Sequence, residues 1–100
     1  MKPDYQAKLD ALIAAVLEGP GKTPPSLRAK LAAREDVDAP LSAVRDAIFD
    51  RPSQVAASDL DSLRATRSED EIFEAIAAAA LGAARLRLDA ALAAMKAADS

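Results

Sequence analysis

Apolar residues recur at helical intervals along most of this chain, and no segment argues for a strand. The longest pattern runs from Ser68 to Met95, SEDEIFEAIAAAALGAARLRLDAALAAM. Its opening predicts a capping box, with Ser68 accepting from the backbone N–H of Glu71 and Glu71 reaching back to the N–H of Ser68. Glu69, Asp70, Glu71 and Glu74 place negative charge where the helix dipole favours it. Alanine and leucine, strong helix formers, carry the pattern onward, and only Gly82 interrupts it. Ala75 to Ala84 has no charge anywhere around its circumference. That predicts a helix covered on all sides, with the rest of the chain wrapped around it.

The preceding segments predict shorter helices. Pro3 and Asp4 open the first, and Tyr5, Leu9, Leu12, Ile13, Val16 and Leu17 form its apolar stripe. Gly19-Pro20 stops it. A second begins with Thr23 as N-cap and Pro24 at N1, runs through Leu27, Leu31 and Ala32, and fades near Arg34. Glu35 to Asp38 reads as a polar connector. Pro40 starts a third helix, with Leu41, Val44 and Ile48 on one side, and Pro52 ends it. Ser53 to Ala57 reads as irregular or a single turn. Ser58 and Asp59 cap a short fourth helix carrying Leu60 and Leu63, and Arg64 to Arg67 turn into the last. The expectation is one all-α domain over residues 1–100, with about five helices and the last one longest.

Composition sharpens this picture. The chain is 51% hydrophobic, but alanine supplies much of that share and excludes little water when buried. Only Tyr5, Phe49 and Phe73 are aromatic, so the core is thin and close packing or a partner chain must compensate. The net charge is −3 with both signs interspersed, which leaves no basic stripe for nucleic acid. The longest uncharged apolar run is about ten residues, half a membrane span. MKPDYQAKLD lacks the apolar segment of a secretory signal, so the expected location is cytoplasmic, with no membrane association.

Cysteine and histidine are both absent. Their absence removes disulfides, thiol nucleophiles, the commonest general base and the commonest metal ligand. No cofactor and no metal site is expected.

Gly21-Lys22-Thr23, within GPGKTPP, looks like the end of a phosphate-binding loop. The first glycine of that motif is replaced by Val16, the segment follows a helix rather than a strand, and Pro24 and Pro25 offer no N–H. A helix start is the better reading.

Four residues on the long helix are candidates for a pocket or an interface: Glu74, Arg85, Arg87 and Asp89. Arg85 and Arg87 are its only cations within the apolar part, and a planar guanidinium suits a carboxylate or other anion. Arg85 and Asp89 stand at i, i+4 and can instead pair with each other. Glu71 and Glu74 could act as an acid/base pair at a cavity mouth, but capping and the helix dipole already account for Glu71. No catalytic residue is assigned.

Three segments carry a family resemblance: the 68–95 segment quoted above, VLEGPGKTPPSLRAKLAA at 16–33, and DLDSLRAT at 59–66. They resemble small bacterial members of the carboxymuconolactone decarboxylase and alkylhydroperoxidase-D-like superfamily, most clearly in "SEDEIFE", "AAALGAA" and the Arg–Leu–Asp–Ala close. Glu35 to Ala57 match least. The resemblance implies an all-α, alkylhydroperoxidase-D-like fold assembled into dimers, trimers or hexamers. It also implies peroxide reduction at a Cys-x-x-Cys pair with a glutamate and a histidine, or decarboxylation at a histidine-containing site. This chain lacks those residues. The expected Cys-x-x-Cys region, Val37 to Val55, instead carries Ser42, Arg45, Asp46, Asp50 and Ser53 among its polar residues. Fold and assembly carry over, and the chemistry does not.

A helix from Ser68 to Met95 is about 42 Å long, whereas a compact domain of this size is only about 34 Å across. Small residues such as Ala79, Ala80, Gly82 and Ala83 would let another helix approach closely. A homo-oligomer with this helix in the interface is therefore expected. Folding back at Gly82 would be the alternative, but no proline or polar turn follows it. Two functions stay open: a non-catalytic protein acting through self-assembly or a partner, and an enzyme or small-molecule binder whose helix-lined pocket uses carboxylate and arginine groups.

Overall fold

The computed structural model of the chain describes residues 4–55 and 57–98. Five helices follow in order: α1 (Asp4–Glu18), α2 (Pro25–Ala32), α3 (Ala39–Asp50), α4 (Ala57–Arg64) and α5 (Glu69–Ala98). A single 3-10 turn, Pro52–Gln54, links α3 to α4, and no strand occurs among the described residues. Pro3 and the side chain of Tyr5 lie outside the described residues.

The predicted starts and stops hold where their chemistry is local. Glu71 N–H donates to Ser68 Oγ at 3.2 Å, and Ser68 N–H donates to Glu71 Oε1 at 3.0 Å, closing the capping box. Those two bonds hold the Glu71 carboxyl below its ordinary range. Helix α1 ends at Glu18, directly before Gly19-Pro20. Helix α2 ends in a Schellman motif, with Arg34 N–H donating to Leu31 O and Glu35 N–H to Lys30 O. Arg34 takes the left-handed conformation this motif needs, at φ 59°.

Two caps differ from the sequence reading. Pro24, not Thr23, is the N-cap of α2, and no side chain caps it. Thr23 has a distant partner instead, described below. Helix α4 begins at Ala57, which places Ser58 and Asp59 inside its first turn.

The core forms where α2, α3 and α4 meet one face of α5. Leu31, Leu41 and Leu63 are its largest fully buried side chains, joined by Val44, Ile48 and Ile72. Helix α5 contributes mainly small residues, Ala75, Ala78, Ala79, Gly82 and Ala83. Gly82 is required by proximity: a Cβ there would fall on the backbone carbonyl and Cα of Ala32. The helix that the small residues admit is thus α2 of the same chain, and α5 runs unbroken through Gly82.

Helix α1 lies antiparallel to α5. The loop after its end meets Glu74, near the start of α5, while Asp10 pairs with Arg85 farther along. None of its described side chains is fully buried, and Leu12 is 51% exposed.

The expectation that α5 is covered on all sides fails. Four short helices cannot enclose a 30-residue helix, and Ala80 and Ala84 face outward. The molecule is elongated, 51 × 29 × 20 Å, because α5 extends past its neighbours. No helix is long and apolar enough to cross a membrane.

Candidate functional site

Three polar arrangements fasten the other helices to α5, and they use three of the four candidate residues in their framework. The first is the loop after α1. Glu74 Oε2 accepts from Lys22 N–H at 2.8 Å. Its Oε1 accepts from Thr23 N–H at 2.8 Å and from Thr23 Oγ1 at 2.6 Å. Gly21 allows the approach, since a Cβ there would stand 2.7 Å from Oε1. These donors hold the Glu74 carboxyl down at about 2, the Lys22 amide contributing most. The Gly-Lys-Thr segment does cradle an anion, and that anion is a carboxylate of this chain. A carboxylate so fixed stays ionised and cannot serve as a general acid near neutral pH.

Behind this loop lies Arg28, which is 3% exposed. Its guanidinium donates to the carbonyls of Val16, Gly19 and Thr23. It therefore closes the C-terminal end of α1, where unpaired carbonyls and the helix dipole both favour a cation. Sequence reasoning missed Arg28. The available signal was a charged residue between Leu27 and Leu31, on a short helix that needs every inward position.

The second arrangement centres on Arg85. It pairs with Asp10 of α1, and its Nε donates to Asp89 Oδ1 and Oδ2 at 3.0 and 3.1 Å. The predicted Arg85–Asp89 pair forms, and Asp10 is its unforeseen third member. In the third, Arg87 donates to the Phe49 carbonyl at 2.9 Å and closes the C-terminal end of α3.

Arg85 and Asp89 share a surface groove of about 360 Å³ with Phe49 and Arg34. Glu74 lies about 16 Å away along the helix, and Arg87 points to α3. The four candidates thus form no single site. Arg34, the groove's other cation, is bound to Asp46 and Asp50 and lies over the Phe49 ring. Among the described residues, no cluster of acidic side chains is arranged to hold a metal ion.

A different feature stands out on the far side of α5. Phe73, Ala77, Ala80, Ala84, Leu88, Ala91 and Met95 fall on one stripe at helical spacing. Phe73 is 73% exposed and Met95 50%. Ala80, Ala84 and Ala91 are exposed as well, while Ala77 and Leu88 are half-buried. A contiguous apolar stripe of this kind marks an interaction surface more often than a scatter of single exposed residues does.

No protein-family model, curated protein or solved structure matches the chain.

Proposed function

We propose that this chain is a non-catalytic helical protein that acts by self-assembly, with the outer stripe of α5 as its interface. The observation that carries this reading is Phe73, an aromatic side chain left 73% exposed at the head of an uncharged stripe in a chain whose core is mostly alanine and leucine. Burying it against another chain would recover part of the hydrophobic stabilisation that the thin core forgoes.

Kinship with the carboxymuconolactone decarboxylase and alkylhydroperoxidase-D-like superfamily belongs to the same proposal. Its support is the quoted segments and the all-α order of elements. That superfamily also assembles, while this chain lacks its cysteines and histidine. The competing reading, an enzyme or binder using carboxylate and arginine groups, would need those groups available to a ligand. Glu74, Arg85 and Arg87 are each engaged with other groups of the chain.

Sedimentation over a range of micromolar concentrations tests the proposal. The expected outcome is a species of at least twice the 10.4 kDa chain mass that dissociates on dilution. A folded 10.4 kDa monomer throughout that range would end it.

A further inference from the structure

The exposed stripe of α5 is self-complementary when reversed. Counting outward from Ala84, Ala80 and Leu88 lie four residues to either side, Ala77 and Ala91 seven, and Phe73 and Met95 eleven. We infer that α5 packs antiparallel against the α5 of a second copy of this chain, with the two-fold axis beside Ala84. The inference rests on the assembly reading above and specifies its geometry.

In this register the stripe's side chains match in size. Leu88 of one copy meets Ala80 of the other, a large residue against a small one. Ala77 meets Ala91, and the two Ala84 methyls meet on the axis, so the helices can approach closely there. At each end Phe73 meets Met95, and a thioether at an aromatic ring is a favourable contact. Each match occurs twice, as an isologous interface requires.

Charge selects the same direction. Glu69 and Asp70 lie at the N-terminal end of α5, on either side of the stripe, and Lys96 lies in the last turn. Antiparallel pairing brings the acidic first turn of each copy toward the basic last turn of the other and opposes the two helix dipoles. Parallel pairing would set the acidic ends side by side and repel.

The shape of the chain agrees. Beyond Asp89 only Leu92 of α5 is even half-buried among the described residues, so the last turns extend past the chain's own helices. An antiparallel second copy would lay its Phe73 end beside them. The stripe is about 33 Å long at 1.5 Å per residue. One helix pair of that length falls among the smaller specific interfaces, so association should depend on concentration.

Single cysteines test this geometry cleanly, because the chain has none of its own. Under mild oxidation Ala84→Cys is expected to give a disulfide-linked dimer, since the axis brings its two Cβ atoms within disulfide reach. Ala77→Cys and Ala91→Cys should each stay unlinked alone and should link when mixed. Ala77→Cys joining to itself as readily as Ala84→Cys would show a parallel pair and overturn the inference. A sedimenting dimer with no link at Ala84 or in the mixture would also overturn it, while leaving the assembly reading intact. A wild-type chain that stays monomeric at every concentration would remove both.

Discussion

The Glu74 carboxylate accepts three hydrogen bonds from residues 51 and 52 positions earlier in the chain. Its pKa falls from an ordinary 4.5 to about 2, so the folded state favours the ionised form. A group with a depressed folded pKa stabilises the fold fully above its unfolded value, and the effect is lost as pH falls toward the folded one. Glu74→Gln keeps the size of the side chain but leaves one acceptor oxygen for three donors. It should lower the melting temperature at pH 7 by on the order of 5 °C. The gap between wild type and variant should shrink between pH 5 and about 2, as the wild-type carboxyl is protonated. Melting curves across that range check the prediction, and a gap independent of pH would contradict it. Comparison with the variant isolates Glu74 from Glu71 and Asp50, whose carboxyls are also held low. At this scale the sequence was partly legible. Gly21-Lys22-Thr23 has the look of an anion cradle, and it is one. Its acceptor is invisible from sequence because no spacing rule links residue 22 to residue 74. Arg28 escaped for the same reason, since the carbonyls that it closes belong to another helix.

Among the elements, α5 was the easiest to read. Its capping box is local, its strong helix formers agree with its dipole charges, and its continuity past Gly82 follows because nothing there favours a turn. Helix ends governed by glycine or proline were equally plain at Glu18 and at Asp50. What the sequence left open was which element fills the notch at Gly82. Propensity and packing make opposite forecasts for Gly82→Ala. In an exposed helix the change would stabilise by about 1 kcal/mol. Here the new methyl would lie on the Ala32 backbone, and neither backbone can give way as a flexible side-chain tip would. Overpacking of this kind costs about 1–3 kcal/mol, so the net effect should be destabilising. Urea denaturation of wild type and variant measures it. A stabilised variant would mean that α2 does not cross α5 at this point.

At the scale of the whole molecule, the mismatch between a 30-residue helix and its short neighbours was legible as a length argument. The helix is indeed longer than the body that it anchors, and the molecule reaches 51 Å along its longest axis. The sequence could not show which face of α5 the other helices would cover, because Ala79 and Ala80 are chemically identical. The structure separates them, with Ala79 1% exposed in the core and Ala80 facing solvent on the stripe. That separation makes folding and assembly independently testable. Ala79→Glu would bury a charge with no partner, and the domain should lose its cooperative melt. Ala80→Glu places the charge in water in the monomer, where a glutamate on an exposed helix surface changes stability by only about 0.5 kcal/mol. In the proposed dimer it would face Leu88 of the other copy, where the carboxylate would be desolvated without a counter-ion. Circular dichroism should therefore find Ala80→Glu as helical and nearly as stable as a wild-type sample diluted to its monomer. Sedimentation should find it monomeric at concentrations where the wild type associates. An Ala80→Glu variant that unfolds would place Ala80 in the chain's own core, and one that still associates would remove the outer face of α5 from the interface.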